Sequence, residues 1–439
     1  MSSLASVAAH KGSFELNSGT RGVPAATSVG SSQLLACGWL PADGEMNLPL
    51  LSLDMAAYET NKSAMIGICQ TVGCDIAPHA KTPMSPVLAA DLIASGAWAI
   101  SVADLRQAEV MLRGGINRIV IANEIGGRSA VNRLARLLRL YGRAEIYLFV
   151  DSLDFIEALA AVWADDADLP PLKLLIEIGC GRGGVNSNDD ADAIVATVGR
   201  VAAIEPRISL TGLAAYEGSA NRPNEADLAV ALDDLFKRVA YALMAARLVV
   251  GQEHPLILSM GGSSLFDFVV ARTAPILAED GEARLLLRSG SCFFGDHGAM
   301  PTRFAAMATR NLLGDEISNS VLAFFRPALR LWAEVLSTNG PHDAICGFGM
   351  RDVAHDQGLP VPLSVWRGGA KLLGTVEAGA VSKLNDQHAF VHIADVDLEV
   401  GDVIEFGIKH PCTTIDKHDV IYGLDPTGHV AIALQTAFG

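Results

Sequence analysis

The chain has 439 residues, half of them hydrophobic, and a net charge of −16 at pH 7. That acidic balance argues against nucleic acid or an anionic membrane surface as a partner, and no run of eighteen apolar residues is present to span a bilayer. The length is enough for two domains with sizeable cores, and seven cysteines without paired spacing predict reduced thiols in a cytoplasmic protein.

The first 35 residues, rich in Ser, Gly and Ala, read as a loosely ordered arm and not as a secretory signal. From there the chain repeats a beat of apolar strand, turn and amphipathic helix. Strands are predicted at 50–53, 75–77, 98–102, 119–122, 146–150, 174–178, 210–214, 256–259 and 284–287. Helices are predicted at 56–71, 129–141, 189–203 and 225–249, and a further one opens at Pro86 and runs to about Ala94. Alternation of this kind implies a parallel sheet, and this many units imply closure into an α/β barrel of the (β/α)8 TIM type. Nine candidate strands for eight places leave one surplus.

After about Met300 the rhythm changes. A helix is predicted from 301 to 337, followed by glycine-separated strands at 370–376, 390–393, 403–406, 420–423 and 429–434 with no helices between them. These predict a mainly antiparallel β domain. The expected organisation is an arm over 1–44 that contributes to the β domain, a barrel over 45–300, and the β domain over 301–439.

Two segments carry chemistry. In Ala77-Pro78-His79-Ala80-Lys81-Thr82-Pro83 a lysine ends a short apolar strand, and His79 and Lys81 lie two apart on one face. A lysine at the carboxyl end of a barrel strand points into the mouth, where a Schiff-base lysine would be presented; the competing reading is a lysine that merely solvates a strand end. In Lys409-His410-Pro411-Cys412 the imidazole and the thiol are again two apart, so an extended chain projects both to one side, and the proline places them on an edge or loop. Imidazole with thiolate suits zinc, and two protein ligands leave positions open for water or substrate.

Taken together with the runs Ile176-Glu177-Ile178-Gly179-Cys180-Gly181-Arg182-Gly183-Gly184-Val185 and Gly212-Leu213-Ala214-Ala215-Tyr216-Glu217-Gly218, these segments resemble the metal-dependent D-serine dehydratase and D-threonine aldolase family. Its members are pyridoxal-phosphate enzymes of the alanine-racemase-like fold type, and the resemblance spans roughly residues 36 to 435. It implies a barrel with a β domain, a homodimer whose two subunits complete each site, pyridoxal 5'-phosphate on Lys81, and Zn2+ or another divalent cation on His410 and Cys412. It also implies that Arg182 bonds the cofactor's phenolic oxygen and that Tyr216 lies close to the ring; His79, near Lys81, is a candidate to orient the ring or relay a proton, the alternative being a packing role.

Two glycine turns, Ser259-Met260-Gly261-Gly262-Ser263-Ser264 and Ser289-Gly290-Ser291, end late strands. Glycine lets backbone amides approach phosphate, so Gly261, Gly262, Ser263, Gly290 and Ser291 are the candidate phosphate contacts. The activity implied is dehydration of a D-3-hydroxy amino acid, D-serine foremost, to a keto acid and ammonia. In the family the cysteine ligand goes with dehydratases and aspartate with aldolases. The alternatives are a D-threonine aldolase, a 3-hydroxyaspartate dehydratase and an amino-acid racemase.

Overall fold

Segments that are apolar along most of their length become parallel strands buried on both faces, as Glu145–Val150 and Leu172–Ile178 show. In the computed structural model, which describes residues 14–179, 181, 183–220, 222 and 225–438, eight such strands form one sheet. They are Asp75–Ile76, Ile100–Val102, Arg118–Ile121, Glu145–Val150, Leu172–Ile178, Ile208–Ala215, Ile257–Met260 and Arg284–Leu287, and spatial order follows chain order. Arg284–Leu287 pairs back onto Asp75–Ile76. The Trp98 N–H donates to Ile76 O at 2.8 Å, Ser101 N–H to Pro78 O at 2.9 Å and Ala80 N–H to Ser101 O at 2.8 Å, which closes the barrel. Its interior is filled by Ala77, Val120, Phe149, Leu175, Ala214 and Leu286 among others.

The helix Met55–Val72 sets the height at which the first barrel strand begins. Asp54 caps it by accepting from the amides of Ala56 and Ala57, both at 3.0 Å. Gly73, at φ 70°, ends it in the left-handed conformation that glycine adopts without strain. The chain then turns directly into Asp75–Ile76 and onward to Lys81.

The surplus candidate is the one at 50–53. Leu50–Asp54, inside the span expected for the barrel, instead joins a ten-stranded, mainly antiparallel sheet, where it lies between Leu329–Thr338 and Val420–Leu424. A short apolar run buried on both faces reads alike in either kind of sheet, so its pattern carried no sign of which one it would join. The helix expected over 301–337 is also corrected. Helices Ala299–Arg310 and Asp315–Phe324 are separated by Asn311 and Gly314 at positive φ, and a strand, Leu329–Thr338, follows Pro327. In that strand Leu329, Leu331, Ala333 and Val335 are buried, the period of two that a helix would not give.

The two sheets are joined where the chain crosses between them. The Asn61 side chain donates to Phe293 O at 3.0 Å and Arg326 O at 2.8 Å and accepts from the Arg326 amide at 2.8 Å. The Asp54 amide donates to Ala328 O at 2.8 Å in the same region. Among the described residues, no helix is long and apolar enough to cross a membrane.

At the opposite end of the barrel from Lys81, Glu145 accepts from Arg118 Nε at 2.7 Å, from the Tyr147 hydroxyl at 2.8 Å and from Lys173 Nζ. Burial alone would raise its carboxyl, but the donors of Lys173, Arg118 and Tyr147 outweigh it and hold the group at about 2, against 4.5 for an ordinary glutamate. A depressed carboxylate stabilises the fold above its unfolded value, and that contribution is lost as pH falls toward the folded value. Thermal unfolding followed from pH 7 downward should therefore show a loss of stability between about 4.5 and 2. Glu145→Gln should lower the midpoint at neutral pH and flatten that acid limb; an unchanged limb would remove the role assigned to this carboxylate.

Candidate functional site

The carboxyl ends of the barrel strands and one turn of the second sheet enclose a cavity of about 310 Å3. Its walls hold His79, Lys81, Tyr216, Gly262, Ser263, Gly290, Ser291, His410 and Cys412, so residues more than three hundred positions apart share one space. Gly261 lies just behind this wall, at φ 90°. Arg182, together with Cys180, lies outside the described residues.

Lys81 stands at the mouth because the strand that closes the barrel ends there, in a turn begun by Ala80, and its side chain is exposed to the cavity. His79 is half buried, one strand period earlier, and its Nδ1 accepts from the Lys81 amide at 3.5 Å. Tyr216 follows directly on the strand Ile208–Ala215 and is 40% exposed.

The two glycine turns lie side by side because their strands are parallel neighbours. They are stitched together: Ser289 Oγ donates to Gly261 O at 3.0 Å, and Ser263 Oγ accepts from the amides of Gly290 at 3.2 Å and Cys292 at 3.1 Å. Gly290 also presses against His79, since a Cβ there would come within 2.6 Å of His79 O. The amides of Gly261 and Gly262 point at the carboxylate of Glu217. Arg303 donates to Ser264 Oγ at 2.8 Å, and the buried Arg288, which also lines the cavity, donates to Ser259 Oγ and Ala215 O, both at 2.8 Å.

His410 and Cys412 converge by a route the sequence reading did not anticipate. They do not lie on an extended chain: His410 caps a single helical turn, Pro411–Ile415, with Pro411 in the first position where a missing N–H costs nothing. Thr414 Oγ1 accepts from the Ala354 amide at 3.2 Å and fixes that turn against the loop that carries Asp356. Asp356 Oδ2 takes His410 Nδ1 at 2.6 Å, which leaves Nε2 as the donor atom of the ring. Cys412 Sγ and Thr82 Oγ1 share a hydrogen bond of 3.1 Å, so the thiol sits beside the residue that follows Lys81.

Burial would push the Cys412 thiol up, yet the His410 imidazole, the Thr82 hydroxyl and the nearby Lys81 charge bring it below the ordinary thiol value. His410 is raised, first by its bond to Cys412 and then by Asp356, against the opposing effect of burial. An imidazole and a thiolate-leaning sulfur side by side form a donor pair that could hold a borderline-soft divalent ion, and the Asp356 contact is the carboxylate-to-histidine support that such ligands use. No cluster of three or more His, Cys, Asp or Glu is assembled for a metal among the described residues. The lysine at the mouth fits the aldehyde of pyridoxal phosphate, whereas the Gly261 and Gly262 amides expected to meet its phosphate are engaged by Glu217 and the Gly290 amide by Ser263.

Sequence reasoning passed over Thr82, Asp356, Arg288, Arg303 and the role of Glu217. Thr82 could have been found from its place beside Lys81. Asp356 could not, since it stands 54 positions before His410 with no spacing motif linking the two.

Residues 53–267 match the family model of the alanine racemase N-terminal domain, and residues 328–424 match that of the putative serine dehydratase domain. The chain is 26% identical over 388 residues to a 3-hydroxy-D-aspartate aldolase of Paracoccus denitrificans, covering 87% of this chain and 89% of that protein. The crystal structure of D-threonine aldolase from Filomicrobium marinum superposes with a TM-score of 0.70 at 23% identity, over 90% of this chain and 95% of that one. D-threo-3-hydroxyaspartate dehydratase from Delftia sp. HT23 superposes at 0.63 and 21%, over 91% and 99%. These likenesses place the fold among alanine-racemase-like enzymes.

If the Asp356 carboxylate orients His410 toward a metal, Asp356→Asn should weaken divalent-ion binding by about 10–100-fold. Competition with a chromophoric chelator measures this directly, and an unchanged affinity would reduce Asp356 to a surface contact.

Proposed function

We propose that the chain belongs to the metal-dependent D-serine dehydratase and D-threonine aldolase family and is a pyridoxal-phosphate- and zinc-dependent lyase of D-3-hydroxy amino acids. D-Serine is the first substrate to test. The observation that carries this reading is the Thr82–Cys412 contact at 3.1 Å, which brings the metal-ligand pair and the cavity lysine to one place.

When bound, pyridoxal phosphate supplies an electron sink for the α-carbon and the divalent ion supplies a Lewis acid at the β-hydroxyl. Lys81 Nζ would hold the cofactor and would take the α-proton of the substrate. His410 Nε2 and Cys412 Sγ would hold the ion, with Asp356 keeping the imidazole in register. Tyr216 contributes an apolar wall with a hydroxyl at its tip, suited to one face of a flat ring. The Gly262-Ser263 and Gly290-Ser291 turns line the end of the cavity where a phosphate would sit. Loss of the α-proton and the β-hydroxide from D-serine would leave aminoacrylate, whose imine tautomer takes up water to give pyruvate and ammonia. Free thiols at all six described cysteines accord with a reducing, cytoplasmic setting.

The second reading is aldol cleavage, favoured by the aldolases among the relatives. Cys412 in the position of a family aspartate favours dehydration. Purified protein titrated with pyridoxal phosphate should develop the visible band of lysine-bound cofactor, and Lys81→Ala should abolish it. Chelation should cut pyruvate formation from D-serine by at least about 100-fold and leave the band intact; full turnover after verified metal loss would end the Lewis-acid assignment. Glycine outweighing keto acid, from D-serine and D-threonine alike, would make the chain an aldolase.

A further inference from the structure

Glu217 opens the short turn Glu217–Ala220 and is only 1% exposed, although it is a carboxylate. Its Oε2 accepts from the Gly261 amide at 3.1 Å and its Oε1 from the Gly262 amide at 2.5 Å. Two successive N–H groups in a glycine turn form a cradle for an anion, and here the anion is the protein's own. The strands that deliver the two partners, Ile208–Ala215 and Ile257–Met260, are parallel neighbours, so the carboxylate ties together two adjacent strand ends at the mouth.

The ring of Tyr216 is held by the same arrangement. A Cβ at Gly262 would stand 3.1 Å from Tyr216 Cε2 and 3.2 Å from Glu217 Oε1, and a Cβ at Gly218 would run into the ring. Tyr216 therefore lies between two glycines, one of which is fixed by Glu217.

We infer that Glu217 is a positioning residue, whose bidentate hold on the Gly261 and Gly262 amides sets the glycine turn and the Tyr216 ring before any cofactor arrives. The inference rests on the function proposed above for its consequence, though not for the clamp itself. Both amides are already spent on the carboxylate, so the turn contributes shape to the cofactor's end of the cavity and its phosphate draws on other donors.

The opposite possibility is that Glu217 merely fills the cradle until a phosphate displaces it. The two differ in sign. A clamp predicts that Glu217→Ala weakens pyridoxal-phosphate binding by about tenfold or more and changes the circular dichroism of the bound cofactor's visible band, with Glu217→Gln intermediate because it keeps one accepting oxygen. A placeholder predicts binding that is equal or tighter. Unchanged affinity and an unchanged dichroic band in Glu217→Ala overturn the inference.

Hydrogen exchange on the unsubstituted apoprotein tests the clamp without cofactor and without any variant that could fail to fold. The Gly261 and Gly262 amides should be protected, and exchange at the rate of an open loop overturns it. Should the parent chain never bind pyridoxal phosphate, the proposed function falls, while the exchange result still decides the clamp.

Discussion

The site depends on one joint. A barrel and a mainly antiparallel sheet have no shared hydrogen-bond ladder, and their relative placement is set where Asn61 engages the backbone of Phe293 and Arg326 with both ends of its amide. A buried side chain that satisfies three backbone groups at once is strict about geometry, because any shift strands a donor or acceptor away from water. The turn at Pro411–Ile415 is held over the strand ends by Thr414, which accepts from the Ala354 amide, and by the Thr82–Cys412 contact. The cavity is the gap that remains.

Within the gap the polar groups constrain one another. Asp356 fixes the face of His410, His410 and Thr82 favour charge on the Cys412 sulfur, and the Lys81 charge lies close enough to add to that effect. None of these groups would behave so on an isolated strand in water, where screening weakens each pair. Glu217 belongs to the same logic on the other wall, where a charge is buried only because two backbone amides meet it.

Much of this was legible in the sequence, and the reasons for the exceptions are physical. The barrel strands showed as apolar runs alternating with helical periods, and Lys81, His79, the glycine turns, His410 and Cys412 showed as residue types with uncommon neighbours, while Tyr216 entered only through the family resemblance. The strand Leu329–Thr338 was hidden because a period of two in a stretch rich in Leu and Ala follows real helices and is easily extended into one. The membership of Leu50–Asp54 was hidden because local pattern says what an element is and not which edge it will find. Asp356 and Glu217 were missed for a related reason: a carboxylate acquires its role from the backbone or ring it meets, and those partners are 54 and 44 or 45 positions away.

The location of Leu50–Asp54 also bears on how the molecule can assemble. Ser52 faces Arg330, 278 residues later, and its other flank waits for Tyr422. During synthesis this apolar ribbon emerges with both edges bare, and its neighbours, Leu329–Thr338 and Val420–Leu424, follow hundreds of residues later. Such distant pairing slows folding and leaves an edge that another chain could capture. The barrel strands neighbour one another in chain order, whereas the wall that carries His410 and Cys412 can form only when Leu50–Asp54 meets Leu329–Thr338 and Val420–Leu424.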